Sequence, residues 1–105
     1  VSGVCEAITY ARNAGLDVEK MLNSISEGAA GSWQMSNMAP RMIKGDFVPG
    51  FYIKHFIKDM KIAAEECREF NSELVVLNKV LEMYEYLEEN NFGDLGTQAL
   101  IKYYE

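Results

Sequence analysis

Residues 53–70, IKHFIKDMKIAAEECREF, decide the fold. Ile53, Phe56, Ile57, Met60, Ala63, Ala64, Cys67 and Phe70 follow the 3, 1, 3, 3, 1, 3, 3 spacing of one apolar stripe on a helix. This predicts a helix of about 17 to 19 residues. Asn71 and Ser72 break it. A following helix carries Leu74, Leu77, Leu81 and Tyr84 on one face with Val76, Val80, Met83 and Leu87 beside it, a face wide enough to be central. Beyond the turn Asn90 to Gly96, the residues Ala99, Leu100 and Tyr103 suggest a short closing helix.

Upstream, Val1, Val4, Cys5, Ile8 and Ala11 recur at helical spacing, and Gly15 stands where a left-handed C-terminal cap is wanted. Asp17 is placed to cap a second helix with Val18, Met21, Leu22 and Ile25, ending at Gly28. Ser32 can cap a third with Trp33, Met35, Met38 and Ala39, which Pro40 should end or restart as another turn. Gly45 to Gly50 is a turn-rich connection flanked by Phe47 and Phe51, a candidate functional loop. No stretch sustains period-2 alternation. The expected fold is all-α, an irregular array of five to six helices of unequal length.

With 105 residues, 49% of them hydrophobic, the chain can bury a core, and residues 1–105 read as a single helical domain. Its greasiest run, Leu74 to Leu81, is interrupted by Asn78 and Lys79, far short of the roughly 20 apolar residues of a membrane span. Solubility is expected and no membrane partner. Val1 to Ala14 has Glu6 in its middle and no basic leader, unlike a secretory signal. Cys5 and Cys67 form no CxxC pair and fall on apolar faces, which suggests reduced core thiols in a cytoplasmic protein and no metal site. A net charge of −6 argues against a nucleic-acid partner.

Against that acidic background one cluster stands out. Lys54, Lys58, Lys61, Glu65 and Arg68 recur at 4, 3, 4, 3 spacing, a continuous polar stripe whose first half is positive. Cations near a helix N-terminus are disfavoured by about 0.3–1 kcal/mol each, so Lys54, and less directly Lys58, stand against local preference and a bound anion would compensate them. The plain alternative is a solvated stripe with Lys61 paired to Glu65. His55 has no nucleophile motif beside it and reads as structural. Trp33 reads as core or interface more often than as a pocket wall. Glu82, Glu85, Glu88 and Glu89 read as a solvated acidic face. No GxGxxG or Walker loop is present, so this chain builds no nucleotide phosphate cradle by itself.

At Glu6-Ala7, Gly15-Leu16-Asp17, Gly31-Ser32-Trp33, Pro40-Arg41-Met42, Asp46-Phe47-Val48-Pro49-Gly50-Phe51, Lys58-Asp59-Met60 and Ala99-Leu100, the sequence resembles the β-hydroxyacid dehydrogenases. The likeness is to the C-terminal helical domain of 3-hydroxyisobutyrate dehydrogenase and 2-hydroxy-3-oxopropionate reductase, similar in fold to the C-terminal domain of 6-phosphogluconate dehydrogenase. It covers essentially the whole chain. The resemblance implies an NAD- or NADP-dependent oxidoreductase acting on a small-molecule 3-hydroxy acid. It implies an N-terminal Rossmann domain and a catalytic lysine upstream of Val1, so that no catalytic residue lies in this chain and the chain alone is inactive.

The same resemblance assigns Lys58 to cofactor contact, and Phe51, Asp59 and, less directly, Trp33 to the substrate and nicotinamide cleft. A homodimer or higher homo-oligomer is implied as well. Two departures bear on subfamily: Gly96 and Gln98 stand where many members have an Asp preceding Ser-Ala-Leu, and Ser72-Glu73-Leu74 replaces Pro-Leu-Pro. The competing reading is a stand-alone helical dimerisation or interaction module.

Overall fold

The computed structural model describes all 105 residues, Val1–Glu105. Its elements are α1 (Ser2–Asn13), α2 (Val18–Ile25), α3 (Trp33–Asn37), α4 (Ala39–Lys44), α5 (Ile53–Glu69), α6 (Val75–Glu89) and a closing 3-10 helix, Thr97–Tyr104. The all-α array is as the sequence implies. No helix is long and apolar enough to cross a membrane. The chain divides into two compact units, one of Val1–Phe47 with Gln98–Glu105, the other of Val48–Thr97.

In the first unit the caps form where the residue types demand them. Asp17 accepts from the Lys20 N–H, and Ser32 accepts from the Met35 N–H, each satisfying an orphan donor of the first helical turn. Gly15 takes φ +74°, the left-handed conformation that relieves the end of α1. Gly31 is needed for space: a Cβ there would come within 2.1 Å of the Ser26 carbonyl oxygen. The single third helix expected through Ala39 is split, because Pro40 lacks an N–H and occupies the first turn of a new helix, α4.

The core of this unit is Val4, Cys5, Ile8 and Ala11 of α1, Leu22, Met35, Ala39 and Met42, joined by the closing residues Ala99, Leu100 and Ile101. The closing segment is tied down by polar contacts. The Tyr104 hydroxyl donates to the Glu6 carboxylate at 2.9 Å, and the buried Gln98 amide donates to the Asp46 carbonyl at 3.1 Å. Lys102 lies 4.7 Å from the Phe47 ring centroid. Cys5 and Cys67 are free thiols, Cys5 buried and Cys67 half-buried.

The second unit is the α5–α6 hairpin. α5 has the predicted length, 17 residues, and buries Ile53, Ile57, Met60 and Ala64, each large side chain contributing about 1.5–3 kcal/mol. The stripe fades toward the helix end: Ala63 and Phe70, expected inside, are exposed. α6 behaves likewise. Met83, Tyr84 and Leu87 are buried, but Leu74, Val75 and Val76 are exposed, Val76 at 73%. Its apolar face is therefore central only over its second half.

Candidate functional site

The second unit positions Phe51, Lys58 and Asp59 through the first turns of α5. Tyr52 offers no side-chain cap. Instead the loop after α6 supplies backbone acceptors: the Ile53 N–H donates to the Leu95 carbonyl at 2.9 Å and the Lys54 N–H to the Gly93 carbonyl at 3.1 Å. An antiparallel bridge joins Tyr52 to Gly96, and the Thr97 N–H donates to the Phe51 carbonyl at 3.0 Å. The start of α5 is thus held by a second segment of chain.

Side chains fix Phe51 as well. Its ring meets Phe56 edge-on at 6.0 Å, and Phe56 meets Tyr84 edge-on at 5.3 Å. The Tyr84 hydroxyl, fully buried, donates to the Thr97 carbonyl at 2.8 Å. Phe51 remains 42% exposed, an anchored ring with an open face.

Where the sequence pointed to a bound anion at the cationic helix start, a carboxylate of the chain itself takes that place beside Lys54. Asp94 lies 2.6 Å from the Lys54 ammonium. Their hydrogen bond holds the Asp94 carboxyl below, and the Lys54 ammonium above, the ordinary range. Asp94 thus offsets the macrodipole penalty that a cation incurs at the start of α5. Lys61 does not pair with Glu65 along α5; it reaches across to Glu85 of α6 at 3.6 Å. Cross-helix pairing wins because Glu85 is presented by the packed neighbour. Of the three lysines, Lys58 alone has no carboxylate within ion-pairing distance.

Lys54, Lys58 and Lys61 line one shallow groove of about 370 Å³ together with Ile57, Ile62, Glu65 and Glu88. Asp59 does not line it, since adjacent helical residues point about 100° apart. Asp59 is exposed and makes no ion pair. His55 is exposed, its ring 5.3 Å from that of Tyr52. Trp33 belongs to the other unit, at the first position of α3, and is 64% exposed, so it is not core.

The donor set bears on what could be held here. An unpaired ammonium with three donors suits one anionic oxygen cluster, such as a phosphate of a dinucleotide. Fit to such a group extends to this one contact, because no glycine-rich cradle accompanies it.

A family model described as "NAD-binding of NADP-dependent 3-hydroxyisobutyrate dehydrogenase" matches residues 1–104. The chain belongs to this family. Proteins similar to it include the uncharacterized oxidoreductase YkwC of Bacillus subtilis, 49% identical over 95% of this chain and 35% of that protein. A probable mitochondrial 3-hydroxyisobutyrate dehydrogenase-like protein of Arabidopsis thaliana is 46% identical over 94% of this chain and 30% of its own length. The crystal structure of 3-hydroxyisobutyrate dehydrogenase from Salmonella typhimurium superposes with a TM-score of 0.88 at 24% identity, covering 96% of this chain and 35% of that one. This likeness establishes the fold. The chain spans about a third of the length of the relatives it matches.

The sequence missed Asp94 and Glu85 as partners of the lysine stripe. Both pairings join residues distant in sequence, so helical spacing carries no trace of them.

Proposed function

We propose that this chain is the C-terminal helical part of an NAD- or NADP-dependent oxidoreductase acting on a small 3-hydroxy acid. Lys58 contacts an anionic group of the cofactor, and Phe51 and Asp59 line the cleft in which substrate and nicotinamide meet. The remaining two thirds of the enzyme hold the phosphate cradle and the proton-transferring lysine, so the chain alone turns nothing over. When bound, the nicotinamide accepts or supplies the hydride. The residues here orient and enclose: Lys58 donates to an anionic oxygen, the anchored Phe51 ring presents its open face and excludes water, and Asp59 accepts from a hydroxyl.

The observation that carries this reading is Lys58, exposed on α5 and alone among the three lysines of the stripe in lacking a carboxylate partner. Family membership supports it. In the full-length enzyme, Lys58→Ala should lower kcat/KM at least about tenfold, equivalent to ~1.4 kcal/mol, with an unchanged melting temperature. Lys79→Ala, which removes an exposed lysine paired with Glu82 outside the groove, should change little. Equal, small effects of both would return Lys58 to an ordinary solvated surface. Association through the exposed apolar end of the hairpin, as a homodimer or larger homo-oligomer, is part of the same proposal.

A further inference from the structure

The α5 stripe carries its positive charge unevenly. At its start Lys54 is paired with Asp94 at 2.6 Å, and Glu88 lies on the same groove. Toward the far end Lys61 is paired with Glu85 at 3.6 Å, with Glu65 one turn beyond on the groove wall. Lys58 sits between them with no such partner. Residues three and four apart on a helix face have Cβ atoms about 5–6 Å apart, so an ammonium released at Lys54 or Lys61 could reach an anion held by Lys58.

We infer that Asp94 and Glu85 are specificity-determining residues: by engaging Lys54 and Lys61 they reduce a three-lysine groove to one free positive charge, which suits a single phosphate and discriminates against more highly charged anions. The inference rests on Lys58 as the cofactor contact, and adds that the groove's selectivity is set by carboxylates that never touch the ligand. Each freed cation within about 7 Å of a bound anion at the surface, where water screens strongly, corresponds to roughly threefold in affinity. Freed charge also steepens salt dependence, because exposed charges are screened over a Debye length of about 10 Å at 0.1 M.

The test is direct binding of the reduced cofactor to the full-length enzyme, followed by nicotinamide fluorescence at two salt concentrations without substrate. Glu85→Gln and Asp94→Asn should each tighten binding about threefold at low salt and lose that gain at high salt. The double variant Glu85→Gln/Lys61→Gln, which deletes both members of one pair, should return to the wild-type affinity, a result that repacking alone would not produce. Lys58→Ala should weaken binding in every background. Unchanged affinity in Glu85→Gln and Asp94→Asn, with Lys58→Ala still weakened, would overturn this inference and leave Lys58 as the cofactor contact. Unchanged affinity in all three would overturn both.

Discussion

The two units of this chain reach burial by opposite routes. The first assembles four helices, three of them of eight residues or fewer, and is completed by a 3-10 segment from the far end of the chain whose Ala99, Leu100 and Ile101 are fully buried. The second is one long amphipathic hairpin, closed by hydrogen bonds and an ion pair where α5 begins and left apolar and open where α6 begins. Short helices are marginal by themselves and depend on tertiary packing. The first unit therefore concentrates its stability in distant contacts, whereas the hairpin has surface to spare for function.

The largest expected effect breaks that contrast if it fails. Leu100→Ala, at a fully buried position of the closing segment, should cost about 2–5 kcal/mol. Leu74→Ala, removing the same side chain where it is half exposed, should stay within about 0.5 kcal/mol for the isolated protomer. Urea unfolding of both variants decides it, and similar costs would mean that Leu74 is covered.

This division also explains what was legible in the sequence. The span of α5, the Asp17 and Ser32 caps and the Gly15 turn rest on local signals, and each is found. The split around Pro40 was legible only as an alternative, because proline can end one helix or start the next. The exposed Val75 and Val76 lie beside an apolar pattern that records burial against something without recording what. At the candidate site the lysine stripe could be read from helical spacing, whereas the cofactor role of Lys58 was implied by the family resemblance alone. The pairings Lys54–Asp94 and Lys61–Glu85 could not be read, for they depend on how a loop and a second helix return to α5.

A smaller effect sharpens the account of the first unit. Burial pushes the Cys5 thiol from its usual 9.0 up to about 12, with the Met42 sulfur 3.9 Å from it. The fold favours the neutral thiol, so the contribution is complete below about pH 9 and is lost as pH rises from 9 toward 12. Unfolding midpoints should therefore fall from pH 9 upward, and Cys5→Ala should start lower but flatten that slope. The Tyr104 hydroxyl is also raised, by burial and by the Glu6 carboxylate it donates to, so the window between pH 9 and 10, before free tyrosine ionises, isolates Cys5. An identical slope in the variant would place the alkaline loss elsewhere.

The smallest effect on stability belongs to the open end of the hairpin, where Phe70 is 75% exposed and Leu74, Val75 and Val76 continue the apolar surface beside a groove of about 510 Å³ whose lining includes Leu77 and Leu81. An apolar patch at the start of a helix whose second half is packed is the pattern of a surface meant to be covered. Leu74→Glu with Val76→Glu places two charges there without touching the buried Met83, Tyr84 or Leu87. In the full-length protein the double variant should keep its secondary structure and, diluted to the protomer, its urea midpoint. Its self-association should weaken at least tenfold, about 1.4 kcal/mol, because charges desolvated at an interface core without partners oppose binding. Sedimentation of wild type and variant at tens of micromolar measures this. If both sediment as the same oligomer, the open end is not the subunit contact, and the hairpin would have to be covered by another part of its own protomer, making the two units alike in needing distant chain to complete them.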